Sequence, residues 1–349
     1  MTGPRAQGLV RTVAGLVDAA RSTSPLARLA LARDQAVVAR HLFLAGAVRL
    51  GALPHLRQPR TAVQLAKLLD VPTGPRLEGW LALGAATGQL VRHDDAWRVH
   101  GRRARALAGG DALLTSWYRS LLDFGTGIPA ELPELLRSDV DRHDLSHAAD
   151  TIAALAEMSD AAFRPLVAEA LAGAASLLDV GCGDGRLLAW ALQRSPGLRA
   201  SGIDQEPTVI ALAATRLAGR DVDLRVVALE HLPTGRTYDV VVSANAVYYS
   251  PPAELPGQLA GLADRLAPGG RLVVGTALRP EPGRGRRLLG PVLSATALLD
   301  LQLRCQPAGL RLPTEAELTA AVAAAGLRVL ARHRSLPGLP FLTLATASR

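Results

Sequence analysis

Seven residues in the middle of the chain, Asp179-Val180-Gly181-Cys182-Gly183-Asp184-Gly185, have the composition of a ligand-binding turn. Glycines let a backbone approach a ligand closely, and a turn that opens a helix presents free N–H groups. The register of the glycines decides which ligand. A dinucleotide fingerprint, G-x-G-x-x-G, needs glycine at 186, where this chain has Arg186. A dinucleotide site must also hold a pyrophosphate, which Asp179, two residues before the first glycine, would repel. A ligand with an ammonium group and no phosphate suits that carboxylate, through a charge-assisted hydrogen bond or a bridging water. Asp204 ends the next apolar stretch, in Gly202-Ile203-Asp204-Gln205-Glu206-Pro207. A carboxylate there can accept both hydroxyls of a ribose. The plainer alternative is a tight turn with an acidic helix cap.

These residues need a scaffold, and the patterning supplies one. Apolar stretches at Ser176–Val180, Leu198–Ile203, Leu224–Val227, Val240–Ser243 and Arg271–Gly275 alternate with helical segments. Arg186–Gln193 is one such segment, and Pro207 opens another in the position proline prefers. Alternation of this kind implies parallel βαβ units, with the glycine turn at the carboxyl ends of the strands. Leu327–Arg334 and Pro340–Thr346 follow a helix at Glu315–Ala325, with only Ser335–Leu339 between them. That link is too short for a parallel crossover, so these two strands should pair antiparallel.

The N-terminal half reads differently. The first ~35 residues suggest a loose helical extension by composition, and Gln35–Leu53 has helical spacing until Gly51 and Pro54 stop it. Thr61 and Gln64 form a capping-box pattern ahead of Ala62–Leu69. A turn at Val71–Pro75 leads to an amphipathic helix carrying Leu77, Trp80, Leu81 and Leu83, and then to strand-like pieces at Gln89–Arg92 and Ala96–His100. Helix, turn, helix and hairpin in that order make a winged helix. From Ala112 to about Gly173 the chain is mostly helical. The expected organisation is a helical extension and winged helix over 1–110, a helical linker over 111–165 walling an acceptor pocket, and an α/β domain over 166–349. The α/β domain should be a Rossmann-like, doubly wound, seven-stranded sheet with its last strand antiparallel.

Three segments together resemble the class I S-adenosylmethionine (SAM)-dependent methyltransferases over about residues 165–349. The glycine turn resembles their first motif, and Asp204 their ribose-binding acid. Tyr238-Asp239-Val240-Val241-Val242-Ser243-Ala244-Asn245 resembles the opening of their fourth strand, and Leu266-Ala267-Pro268-Gly269-Gly270-Arg271-Leu272 the turn into their fifth. A winged helix in front of such a domain resembles the small-molecule O-methyltransferases. The resemblance implies SAM as cofactor. Asp179, Gly181 and Gly183 would frame its methionine part, Asp204 and Gln205 would lie at the ribose, and Asn245 would form the floor near the methyl. Family members place an acidic residue against adenine where this chain has Ala228. Glu230 or a backbone group would take over that contact, with Leu229 covering the adenine face.

The resemblance further implies a small, largely apolar acceptor, aromatic or polyketide-type, methylated on oxygen, and a homodimer formed through the N-terminal domain. The histidine that serves plant-type members as base is missing from Asn245-Ala246-Val247-Tyr248-Tyr249-Ser250-Pro251. No base carries over, so His143, His147, Tyr118 and Tyr248 stand as weak candidates, and nitrogen or carbon acceptors remain open. Leu288–Leu303 reads as an apolar helix, either a partner contact or a pocket lid. A SAM-sensing winged-helix regulator that binds nucleic acid, and a protein that uses SAM as an aid to another reaction, are the competing readings.

Composition limits these choices. The net charge of +8 invites nucleic acid, but Lys67 is the only lysine and the arginines are spread along the chain, as a coding bias would spread them. Arg76, Arg92, Arg98, Arg102 and Arg103 gather at the winged helix, yet its second helix has few polar side chains with which to read bases. Cys182 and Cys305 give neither a disulfide framework nor metal-site spacing, so no metal is expected. No apolar run reaches the ~18 residues of a membrane span, which points to a cytoplasmic protein.

Overall fold

The computed structural model describes residues 25–123, 127–137, 152, 156–228, 231–232, 235–279, 290–306, 309–334 and 341–347. They belong to two compact units, 1–119 and 120–349. The division falls within the segment 111–165 that the sequence assigns to a linker.

The first unit contains helix α1 (Pro25–Arg49), α2 (Ala52–His55), strand β1 (Arg60–Thr61), α3 (Ala62–Leu69), α4 (Pro75–Ala86), β2 (Leu90–His93), β3 (Ala96–Val99), α5 (Arg102–Ala108) and the start of α6 (Ala112–Asp123). Gly51, left-handed at φ 63°, separates α1 from α2. The capping box read from the sequence forms. Gln64 N–H donates to Thr61 Oγ1 at 3.2 Å, and Thr61 N–H to Gln64 Oε1 at 3.0 Å. Strand β3 pairs antiparallel with both β2 and β1, which completes the wing. Phe43, Leu44, Leu53, Leu65 and Leu81 are buried at its core, and Phe43 stacks on Trp80 at 4.8 Å. One expectation changes, because α1 starts at Pro25 and runs through part of the extension read as loose.

The second unit continues with α7 (Gly127–Leu135), α8 (Glu157–Ala170), β4 (Ser176–Val180), α9 (Arg186–Arg194), β5 (Arg199–Asp204), α10 (Pro207–Arg216), β6 (Val222–Val226), β7 (Tyr238–Ala244), α11 (Leu255–Ala263), β8 (Leu266–Ala277), α12 (Gly290–Arg304), α13 (Glu315–Ala324), β9 (Arg328–Arg334) and β10 (Phe341–Ala347). Seven strands form one sheet in the order β6-β5-β4-β7-β8-β10-β9. The first five are parallel, while β10 runs antiparallel to both β8 and β9.

Period-two alternation divides the strand residues between two apolar layers. Leu177, Val240, Val242 and Val273 face Phe163 and Val167 of α8 and Leu188 of α9. Leu178, Val241, Leu272 and Val274 face Leu259 and Leu262 of α11 and Leu318 and Val322 of α13. A sheet covered on both sides in this way is rigid, and it delivers the carboxyl ends of β4, β5 and β7 to one edge.

Candidate functional site

The turn after β4 needs three left-handed glycines, Gly181, Gly183 and Gly185, at φ 73°, 52° and 72°. Two of them are also crowded. A β-carbon on Gly181 would meet that of Ala246 at 2.6 Å, and one on Gly185 would meet that of Ala213 at 3.0 Å.

The sequence reading expected free N–H groups where this turn opens its helix; the donors of the turn itself are engaged. Gly181 and Cys182 N–H both donate to Ile203 C=O at 2.9 and 3.0 Å, and Gly185 N–H donates to Cys182 C=O at 3.0 Å. Gly183 N–H donates to Asp204 Oδ2 at 3.0 Å. These donors bind the turn to the end of β5, and so are not offered to a phosphate.

Asp204 therefore holds the turn as well as facing its ligand space. Its second oxygen accepts from Glu206 N–H at 3.0 Å, and the side chain stays partly accessible. The carboxylate keeps acceptor capacity beyond these backbone donors. Burial raises the Asp204 pKa, opposed by the N–H donors of Glu206 and Gly183. Gln205, next along, is exposed.

Around the turn the field is negative. Burial pushes the Cys182 thiol far up, and the charges of Asp179, Asp204 and Asp184 push it further. The thiol therefore stays protonated and is no nucleophile. Asp179 is buried, at 2% exposure. Asp184 is clasped by Arg186 at 2.9 Å and Arg216 at 2.7 Å, which ties the turn to α10 and neutralises that carboxylate. The charges of Asp179 and Asp204 both bear on the turn. A cationic ligand group suits this place and a pyrophosphate does not.

At the end of β7, Asn245 takes the left-handed φ of 56° and donates its N–H to Gly275 C=O at 2.7 Å. Its Nδ2 donates to Ser159 Oγ at 2.6 Å, and that hydroxyl donates to Ala156 C=O at 2.7 Å. The serine proton is committed, so the amide cannot be flipped. Asn245 Oδ1 is left buried without a partner. A buried polar atom in that state costs about 1–3 kcal/mol, an expense that a ligand donor would remove. Ser159, which fixes the amide, was read only as part of a linking helix.

The aromatic candidates are buried. Tyr248 and Tyr249 sit in a short 3-10 turn with ring centres 4.7 Å apart and planes tilted by 48°. Burial raises the Tyr248 hydroxyl well above its ordinary value, and it pushes Tyr249 up to about 12, where the Asp204 charge adds to the effect. Neither is a base near neutral pH. Tyr118 is wholly buried in the first unit against Trp117 and His41, at ring distances of 4.9 and 5.8 Å. Burial raises its hydroxyl as well. His143, His147, Leu229 and Glu230 lie outside the described residues. Asp239, which marked the fourth strand, sits at the opposite end of the sheet. It accepts from Ala175 N–H, Ser176 N–H and Ser176 Oγ at 2.8, 2.9 and 3.0 Å, which locks β7 to β4. Among the described residues no cluster of metal-ligating side chains occurs, and no helix is long and apolar enough to cross a membrane.

Residues 178–272 match a family model described as a methyltransferase domain. No curated protein matches the sequence. Among solved structures, the mitomycin 7-O-methyltransferase MmcR is similar over 95% of this chain and 100% of its own, with a TM-score of 0.74 and 23% identity. Human N-acetylserotonin methyltransferase, in complex with SAM, is similar over 94% and 99%, with a TM-score of 0.71 and 18% identity. A pericyclic reaction enzyme is similar over 100% and 95%, with a TM-score of 0.67 and 17% identity.

Proposed function

We propose that this chain, which carries a methyltransferase domain on the class I methyltransferase fold, binds SAM and transfers its methyl group to the oxygen of a small, largely apolar acceptor. The observation that carries the reading is the turn itself. The N–H groups of Gly181, Cys182 and Gly183 are engaged by the end of β5, while the charges of Asp179 and Asp204 bear on the turn.

The residues fit the cofactor. Gly181 and Gly183 give a side-chain-free wall, Asp179 supplies charge for an ammonium group, and Asp204 has capacity for ribose hydroxyls. Asn245 Oδ1 lacks a partner that a ligand could supply. When bound, SAM supplies a sulfonium-held methyl that an acceptor lone pair can attack. The protein's own part is then binding, alignment and exclusion of water. Tyr248 and Tyr249, held neutral, serve as hydrogen-bond donors and not as bases.

Methylation of a small acceptor, here taken as aromatic or polyketide-type, agrees with the names of the mitomycin 7-O-methyltransferase MmcR and of N-acetylserotonin methyltransferase. The chain would act in the cytoplasm as a homodimer. Leu31, Val38 and Leu42 lie along one face of α1 and are 58%, 55% and 54% exposed, which supports pairing through the first unit. The regulator reading gains nothing from α4, whose exposed positions carry only Arg76 and Glu78 as hydrogen-bonding side chains.

Titration calorimetry with SAM and with S-adenosylhomocysteine tests the cofactor, and absence of binding at millimolar ligand to folded protein sinks the reading. Transfer of labelled methyl from SAM across a panel of phenols, amines and carbon nucleophiles tests the reaction. SAM binding without any methyl uptake would favour use of the cofactor as an aid to another reaction, a role the shared fold permits.

A further inference from the structure

A cavity lies on the sheet, and none of the residues that line it belongs to the turn Gly181–Gly185. Register builds its floor. Across β4, β5 and β6, Leu178, Ser201 and Asp223 stand in one lateral row, and Val180, Ile203 and Arg225 in the next. These rows are on the face that α11 and α13 cover elsewhere. Between β6 and β7 the described residues contain no helix longer than a single turn, so among the described residues no crossover helix covers this end of the sheet. The result is a cavity of about 230 Å³ lined by Leu178, Ser201, Asp223, Ile203 and Arg225 of these rows and by Arg236 and Tyr238.

Its lining has two chemistries. Leu178, Ile203 and the Tyr238 ring make an apolar wall, each at most 8% exposed. Tyr238 Oη donates to Ser201 Oγ at 3.2 Å, which leaves the serine proton free to donate into the cavity. At the rim, Arg225 holds Asp223 through two bonds of 2.9 and 2.7 Å, and Arg236 approaches the same carboxylate at 3.4 Å. Two guanidinium groups share one carboxylate, so among the described residues the rim keeps a net positive charge and further N–H donors. Arg236 is the looser of the two, with 62% of its side chain exposed.

We propose that this cavity is a second ligand site, for a small flat monoanion such as a one-ring aromatic carboxylate. The ring would lie on Leu178, Ile203 and Tyr238, and the carboxylate would take the free donors of Arg236, Arg225 and Ser201. A planar guanidinium fork matches a carboxylate better than any other side chain does. The alternative occupant, a neutral aromatic amide of the same shape, would use the wall but not the rim charge.

Fluorine NMR titration of the full chain with 4-fluorobenzoate and with 4-fluorobenzamide separates these cases. The expected result is saturable benzoate binding at least about tenfold tighter than benzamide binding. Arg236→Gln should weaken benzoate about tenfold and leave benzamide and S-adenosylhomocysteine affinity unchanged. Ser201→Leu fills the cavity and should abolish benzoate binding. Should that buried substitution prevent folding, the exposed Arg236 variant still decides the matter. Equal affinity for acid and amide, an unmoved Arg236→Gln, or displacement of benzoate by S-adenosylhomocysteine would each overturn the proposal.

Discussion

Gly181 and Ala246 approach so closely that a β-carbon on the glycine would lie 2.6 Å from that of the alanine. The contact joins the turn after β4 to the segment after β7, so the two sides of the proposed cofactor site cannot move independently. Gly181→Ala adds this clash to a left-handed φ of 73°, a strain on the order of 1–3 kcal/mol. The expected outcome is a lower thermal midpoint together with at least tenfold weaker S-adenosylhomocysteine binding by calorimetry. A variant that lost stability alone would separate the turn from the ligand.

Asp204 should make cofactor affinity depend on pH. Its pKa is raised by burial, so the folded protein binds a proton more readily than the unfolded chain does. Stability therefore declines as pH rises through the window between the unfolded and folded values. Ligand hydroxyls donate to the ionised form, so SAM affinity should fall as pH drops through the raised value. Asp204→Asn should bind at least about tenfold more weakly at neutral pH and with a flatter pH profile. Parallel profiles for the two proteins would remove Asp204 from the ligand contact.

Glu317 sets an acid limit on stability. Arg311 holds it with two bonds of 2.9 Å, and it also accepts from Thr314 N–H at 2.8 Å to close the capping box of α13. Chiefly through Arg311, its pKa drops from 4.5 to about 2. A depressed carboxylate stabilises the fold above its unfolded value, and that stabilisation is lost as pH falls from about 4.5 toward 2. Glu317→Gln keeps an acceptor for the cap but loses the charge. Its chemical-denaturation midpoint should lie below that of the unsubstituted protein at pH 7, and the gap should narrow below pH 4.5 and close as pH approaches 2.

Asp239 should matter to the fold and not to the ligand. Asp239→Ala leaves Ala175 and Ser176 without their acceptor, a loss of about 1–3 kcal/mol. Denaturant titration should show that loss, while calorimetry on the folded variant returns an S-adenosylhomocysteine affinity within twofold of the original. A tenfold affinity loss would give the residue a role in the site.

Pairing through α1 is open to a charge test. Val38→Glu with Leu42→Glu places two carboxylates on the exposed apolar face, and sedimentation should then show a monomer at concentrations where the unsubstituted chain is dimeric. A dimer that survives both substitutions assigns the interface elsewhere.

Much of this was legible because it is local. The capping box at Thr61 and Gln64, the alternation of strands with helices and the glycine register depend on neighbours in sequence. What was missed is contact between distant segments. Arg216 clasping Asp184, Ser159 fixing the Asn245 amide and Asp239 closing on Ser176 are each made only once the sheet has formed. The N–H groups of the turn looked free for the same reason, since their acceptors lie at the end of another strand. A Tyr-Tyr pair was visible in the sequence, but its neutrality follows from burial that no spacing reveals.

Strand β10 is the last strand of the sheet in chain order, yet it is bonded on both sides, to β8 and to β9. β9 therefore cannot join the sheet until β10 has inserted, and β10 must find β8 across a long stretch of intervening chain. Such non-local pairing is slow to form. Until it happens β8 and β9 each present an open edge, so the sheet should close in one late cooperative step. In that interval a β10 from a neighbouring copy would fit the same gap, which makes strand exchange the characteristic misfolding route of this topology.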